Sequence, residues 1–254
     1  MEYLCFLLLV TAGLVASENP DENLEVDDKD LFEGDMIVPP DVFYKAEHGM
    51  DVDSSRKRGA IRSRLWPSGV VPYVISRSLA GSTSPIYAGM REWSRKTCIR
   101  FKRRTNERAF RPRGCYSNVG RTGRSQIINL GPGCRTLGIV AHEIGHAIGF
   151  FHEQSRSDRD KFVTVLLQNV IPGTENNFRK YPRSVIDSLG TFYDYRSLMH
   201  YGSRVFSKNG RLPTIITKNP RVFIGQRRRL SPIDAQQANL LYRNECRKRG
   251  GGGA

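Results

Sequence analysis

The run HEIGHAIGFFH, His142 to His152, decides how the rest of the chain is read. It lies in TLGIVAHEIGHAIGF, which opens at Thr136 and is apolar at helical spacing. On a helix, His142 and His146 are four apart and project from one face, a turn apart. Two imidazoles so placed can grip one metal ion. Glu143 lies between them in sequence and can point to the open side of that ion. Gly149 accepts a left-handed conformation, so the helix can end sharply there and His152 can reach the same ion from another direction. Three neutral imidazoles leave Zn2+ its full double charge, enough to lower a bound water's pKa to about 7. A catalytic site of this kind keeps a fourth position open for substrate. An isolated His is usually an ordinary hydrogen-bonded residue, and HExxH alone matches many helices by chance. The full HExxHxxGxxH fixes five positions over eleven residues and takes three of the chain's five His, so one Zn2+ per chain is expected.

The 254 residues allow one large domain or two small ones, at about 100–200 residues per domain. Aromatic residues at 9% exclude a disordered chain, and no 20–50-residue period points to a solenoid. Charge is unevenly spread. Residues 1–58 hold 5 Lys+Arg and 14 Asp+Glu, net −9; residues 59–254 hold 35 and 11, net +24. An acidic head and a basic body attract each other, as in a processed precursor, although an acidic tail on a basic domain reads equally well from charge alone.

The apolar run from Tyr3 to Val15, followed by Ala16 and Ser17, suits a secretory signal over residues 1–17, with an uncleaved anchor as the alternative. No other run is long and apolar enough to suggest a transmembrane segment, and a secreted chain is not expected to meet nucleic acid. Cys5 leaves with the signal. The remaining Cys98, Cys115, Cys134 and Cys246 suggest two disulfides, with three possible connectivities. Residues 18–58 read as an acidic propeptide ending in SSRKR. That basic cluster makes Arg58–Gly59 the expected cut for a trypsin-like or furin-like activating protease.

VVPYVI (Val70–Ile75) reads as a strand, with Pro72 favouring an edge. SPIYAGMREWSRK reads as a helix capped by Ser84, with Pro85 first and Ile86, Met90 and Trp93 on one face. Ile99 and Phe101 alternate with basic residues as in a half-buried strand, and QIINL (Gln126–Leu130) is a short strand. Residues 102–114 read as a basic loop. SPIDAQQANLLY is a late helix with Ser231 as cap and Pro232 first. Strands and helices do not alternate regularly, so the class is α+β. Residues 247–254 read as a disordered basic, Gly-rich tail.

HExxHxxGxxH is also the metzincin signature. The longer HEIGHAIGFFHEQSRSDRD resembles the extended motif of the astacin family of zinc metalloendopeptidases. SLMHYG (Ser197–Gly202), TCIRF, GCYSNVG and the NEC at Cys246 resemble astacin landmarks in the same order, over residues 59–246. The resemblance implies a twisted, mostly parallel N-terminal sheet with long helices and an irregular C-terminal half. It implies His142, His146 and His152 as zinc ligands and Glu143 as the base that takes a proton from water and returns it to the leaving amine. It implies Tyr201 as a displaceable ligand whose hydroxyl stabilises the oxyanion, and Met199 as packing beneath the metal. His200 orients neighbours or is simply buried. The implied disulfides are Cys98–Cys246 and Cys115–Cys134.

Three further expectations follow from the same resemblance. FEGD (Phe32–Asp35) resembles the FxGD motif of astacin propeptides, which implies Asp35 as an inhibitory zinc ligand. The amine freed at Gly59 is expected near Glu153. IGQR (Ile224–Arg227) resembles the segment lining the pocket after the scissile bond, where Arg227 selects an acidic residue. Protein or peptide substrates are thus the expected partners. A polyanion-binding module without catalysis is the competing class. Arg100, Lys102, Arg103, Arg104, Arg108, Arg111 and Arg113, or Arg227, Arg228 and Arg229, form patches suited to acidic matrix or sulfated glycans, against the plainer reading of a solvated face.

Overall fold

The computed structural model describes residues 31–39, 64–104, 114–183 and 185–250. The expected signal, the cut at Arg58–Gly59, the loop residues Arg108, Arg111 and Arg113, and residues 251–254 lie outside them. The strands among the described residues are β1 (Met36–Ile37), β2 (Val70–Tyr73), β3 (Arg100–Arg103), β4 (Cys115–Asn118), β5 (Ile128–Leu130), β6 (Val163–Val165) and β7 (Ile215–Thr217). The α-helices are α1 (Thr83–Lys96), α2 (Leu137–Ala147), α3 (Pro232–Leu241) and α4 (Arg243–Gly250).

The class is α+β. Pairing is parallel for β2–β3 and β1–β4 and antiparallel for β4–β5 and β6–β7. The strands form three small sheets among the described residues, with β1 joined to β4 and β4 to β5. Tyr73 O accepts from Arg104 N at 2.9 Å, so by alternation the missing N–H of Pro72 lies on the side away from β3. After β5 most of the chain is turns and short 3-10 helices until α3, apart from α2 and the β6–β7 pair.

Helix α1 starts earlier than the sequence suggested. Thr83 is its first residue and Ser82 stands at the cap without a side-chain bond, so Ser84 is not the cap. Pro85 is still accommodated, because the first four N–H groups of a helix have no partner within it. Ile86, Met90 and Trp93 are buried, and Trp93 Nε1 donates to Ala141 O at 2.8 Å, tying α1 to α2. The end of α2 is held from outside. Trp66 Nε1 donates to Ala147 O at 2.9 Å and the Tyr242 hydroxyl to Ile148 O at 3.0 Å, satisfying carbonyls the helix leaves unpaired.

Cys98 is joined to Cys246 and Cys115 to Cys134, closing separations of 148 and 19 residues. Loop-closure entropy makes such links worth about 3–5 kcal/mol each. The first link also corrects the reading of the C-terminus as a tail. Arg247 to Gly250 are helical, in α4. The disulfide anchors that helix, Arg249 donates to Ser68 O at 3.2 Å and Cys98 O at 2.8 Å, and Glu245 accepts from Ser68 N at 2.9 Å. Basic composition says nothing of these long-range partners.

Candidate active site

Thr136 caps α2, its side chain accepting from Ile139 N at 3.3 Å. The helix is buried from Gly138 onward, and His142, Glu143 and His146 are 0% exposed. Ionisable groups so enclosed require partners. At Gly149 φ is 108°, which turns the chain off the helix axis and brings His152 back beside His142 and His146.

Each Nδ1 meets a group that only accepts. His142 donates to Leu198 O at 2.9 Å, His146 to Phe150 O at 2.8 Å, and His152 to the Glu33 carboxylate at 2.7 Å. The proton of each neutral ring is therefore on Nδ1, and each Nε2 presents a lone pair. His142 Nε2 and His146 Nε2 are nevertheless 3.1 Å apart. Two lone pairs at that distance repel unless a cation lies between them. Asp35 adds a carboxylate, with Oδ2 at 3.1 Å from His142 Nε2 and 3.0 Å from His152 Nε2, and Oδ1 at 3.5 Å from His146 Nε2. A tetrahedral zinc with ligand bonds of about 2.0 Å has donor–donor edges of about 3.3 Å. The donor set of Asp35, His142, His146 and His152 therefore fits one Zn2+.

The electrostatics agree. Burial, then the charge of Arg227, pushes the His142 pKa down to about 3. Burial also acts to lower that of His152, but the Asp35 and Glu33 carboxylates raise it to about 9. The cluster holds the His142 ring neutral, while the two carboxylates favour a positive charge at His152, carried by a second proton or, in its place, by a metal ion on Nε2. Burial works to raise the Asp35 pKa, yet His152 and His146 keep its carboxyl well below the usual range.

The turn Ser197–Tyr201 packs against α2. Met199 is buried, and a Cβ at Gly145 would sit 2.6 Å from its Sδ, so only glycine in HEIGH admits this approach. Asp234 grips the turn, accepting Ser197 Oγ at 2.6 Å and Leu198 N at 2.9 Å while capping α3 with Ser231. His200 donates from Nδ1 to Tyr201 O at 2.8 Å and accepts from the Tyr193 hydroxyl at 2.7 Å, which makes it a brace with both nitrogens used. The Tyr201 hydroxyl donates to Glu33 O at 2.5 Å. In this form Asp35, not Tyr201, fills the place beside the three imidazoles, because the N-terminal segment supplies both the carboxylate and the acceptor that holds the phenol aside.

Arg227 is half-buried, and its guanidinium donates to Leu198 O and His200 O, each at 3.0 Å. It is no ordinary solvent-facing residue of an Arg run; Arg228 and Arg229 beside it are exposed, as are Arg100, Lys102 and Arg103. Arg104 is half-buried. Glu153 accepts from Arg156 at 3.1 Å and Asp194 N at 2.8 Å, and burial leaves its pKa raised to about 8 despite Arg156. Gly59, its expected partner, is outside the described residues. Glu33 escaped the sequence reading. It holds the variable position of FEGD, in a stretch with many rival acids, and no local signal marks it.

A sequence model of the Astacin family (peptidase family M12A) matches residues 59–243. The chain is 43% identical over 233 residues to Blastula protease 10 of Paracentrotus lividus, covering 85% of this chain and 38% of that protein. Bone morphogenetic protein 1 of Xenopus laevis is 46% identical over 191 residues, covering 71% and 27%. The chain thus spans about two fifths or less of these relatives' length. Among solved structures, high choriolytic enzyme 1, a hatching-enzyme zinc-protease of Oryzias latipes, is similar with TM-score 0.66 and 42% identity, covering 76% of this chain and 98% of that one. With the family match extending over most of the chain and the histidine cluster built to hold one metal ion, the protein belongs to the astacin family of zinc peptidases.

Proposed function

We propose that the chain is a secreted zinc endopeptidase made as a latent precursor. The observation that carries this reading is the convergence of three Nε2 lone pairs on one point, with Glu143 buried on the same helix. Bound Zn2+ supplies Lewis-acid polarisation of a peptide carbonyl and a lowered water pKa. Glu143 takes the proton of the attacking water and delivers it to the leaving nitrogen. Tyr201, once released from Glu33 O, donates its hydroxyl to the developing oxyanion. Arg227 favours an acidic residue just after the scissile bond.

The proposed organisation is a signal over 1–17, a propeptide over 18–58 and a catalytic domain over 59–246. The family match starting at residue 59 supports a boundary after Arg58, where a trypsin-like or furin-like protease would cut. Two disulfides and the N-terminal apolar run support secretion. No helix among the described residues is long and apolar enough to cross a membrane. Exposed Arg100, Lys102 and Arg103 suit sulfated glycans or acidic matrix as secondary partners.

The test is a protease assay on the chain cut after Arg58, with and without chelator. Chelator-sensitive cleavage is expected. Glu143→Gln should retain zinc, because the three imidazoles remain, and lose about 10²–10⁴-fold in turnover. Near-normal turnover with zinc bound would sink the assignment of Glu143, and no chelator-sensitive cleavage after processing would sink the enzyme reading.

A further inference from the structure

The acceptors that orient the three histidines come from different parts of the chain. Leu198 and Phe150, which serve His142 and His146, belong to the proposed catalytic domain. Glu33, which serves His152, belongs to the segment that carries Asp35. Two carboxylates two residues apart thus address opposite nitrogens of one imidazole: Glu33 at Nδ1, 2.7 Å, and Asp35 at Nε2, 3.0 Å.

A tight hairpin makes this possible. Phe32 and Met36 exchange backbone hydrogen bonds at 2.8 and 3.0 Å. Between them φ is 50° at Glu33 and 76° at Gly34. The left-handed region is unfavourable for a residue with a side chain, whose Cβ crowds the following carbonyl oxygen. Glu33 is held there by contacts on both its side chain and its main chain. Its carboxylate takes His152 Nδ1 and the Ser155 hydroxyl at 2.6 Å, and its carbonyl takes Tyr201. It is only 3% exposed. The Phe32 ring seats the hairpin, 5.3 Å from Tyr181 and 6.4 Å from Phe151.

We propose that Glu33 is an outer-shell residue of the zinc site, so that the uncleaved chain holds Zn2+ more tightly than the processed enzyme does. A carboxylate on the far nitrogen of a ligating imidazole fixes the ring and strengthens it as a donor, and losing such a partner costs about 10–100-fold in metal affinity. The N-terminal segment then does two things at one histidine. Asp35 occupies the position beside Nε2, and Glu33 reinforces the ring from behind. When the segment leaves, His142 and His146 keep their carbonyl partners and His152 alone loses its own. The proposal rests on the latch reading of Asp35 and extends it from blocking the site to loading it.

Zinc affinity, measured by competition with a chromogenic chelator on full-length precursor verified uncut by mass spectrometry, tests this. The parent precursor should bind Zn2+ about 10–100-fold more tightly than the Glu33→Gln precursor. Glu33→Gly should lose as much; glycine adopts the left-handed turn without strain, so it keeps the hairpin if the Gln variant misfolds. Enzymes released from all three precursors should bind zinc alike and more weakly than the parent precursor, because Glu33 and the donor Asp35 have both gone; the share due to Glu33 is read from the uncut precursors, which all keep Asp35. Equal affinity for the parent and variant precursors overturns the proposal, as does a loss that persists after cleavage. A failure of Asp35 as the latch would appear separately, as a silent uncut Asp35→Ala precursor, and would leave this zinc measurement readable.

Discussion

His142 and Arg227 share one acceptor, the Leu198 carbonyl oxygen, which lies 2.9 Å from the imidazole Nδ1 and 3.0 Å from the guanidinium. The same guanidinium nitrogen reaches His200 O at 3.0 Å. A side chain expected to select substrate therefore also clamps the turn behind a metal ligand.

Arg227→Ala should thus have two effects. The preference for Asp or Glu after the scissile bond should disappear from a peptide-library profile. Peptides lacking an acidic residue there should also be cut more slowly, by about 10–100-fold if the full worth of a charged hydrogen bond, about 1.5–3 kcal/mol, is lost from the site. An acidic preference that survives the substitution refutes the subsite role, and unchanged cleavage of neutral peptides refutes the clamp.

Asp35→Ala removes the carboxylate beside the three Nε2 atoms while leaving Glu33 and the Phe32 anchor. The uncut variant precursor should cleave peptide slowly but measurably, whereas the parent is silent until cut after Arg58. If the Asp35→Ala precursor, shown intact by mass spectrometry, is as silent as the parent, Asp35 is not the latch.

Gly145→Ala should cost about 1–3 kcal/mol, because its Cβ would meet Met199 Sδ at 2.6 Å in a packed core. Thermal unfolding of the zinc-loaded chain should show the loss, with weaker zinc retention as the turn at Met199 is pushed away from α2, which carries His142 and His146. A variant with parental Tm would mean that the turn yields freely at Met199.

Asp234 has its pKa raised to about 6 by burial, against the bonds from Leu198 N, Ser197 and Ser231 N. A raised folded-state value means the contribution of Asp234 to stability is full below pH about 4 and is lost as pH rises through about 6. Two pKa units correspond to about 3 kcal/mol. Asp234→Asn should remove this pH dependence and also break the cap of α3 and the grip on Ser197, at about 2–4 kcal/mol. Urea unfolding at pH 4 and pH 7 measures both; a parent and variant that lose stability equally over that range would show that another group carries the dependence.

Much of the site was legible because its signals are local. Helical repeat alone puts His142 and His146 on one face, Gly149 permits the turn to His152, and Ser231 with Asp234 marks a helix start. What was misread depended on distant partners. Ser84 looked like the cap of α1, but the helix is set by the burial of Ile86, Met90 and Trp93 and begins at Thr83. Arg247 to Gly250 looked like a tail, but the Cys98–Cys246 link and the Arg249 contacts hold them helical. The resemblance supplied Asp35 and Arg227, and neither spacing nor composition singles them out.

The sequence by itself determined which atoms can face a metal, since an eleven-residue run with helical periodicity and one glycine sets the three imidazoles. Only the tertiary structure decided what stands behind each imidazole. Leu198 lies 56 residues from His142, and Glu33 lies 119 from His152. A hydrogen bond over such a separation leaves no periodicity in the chain. It exists because the packed turn at Met199 and the hairpin at Phe32 carry an acceptor to the one buried donor that requires it.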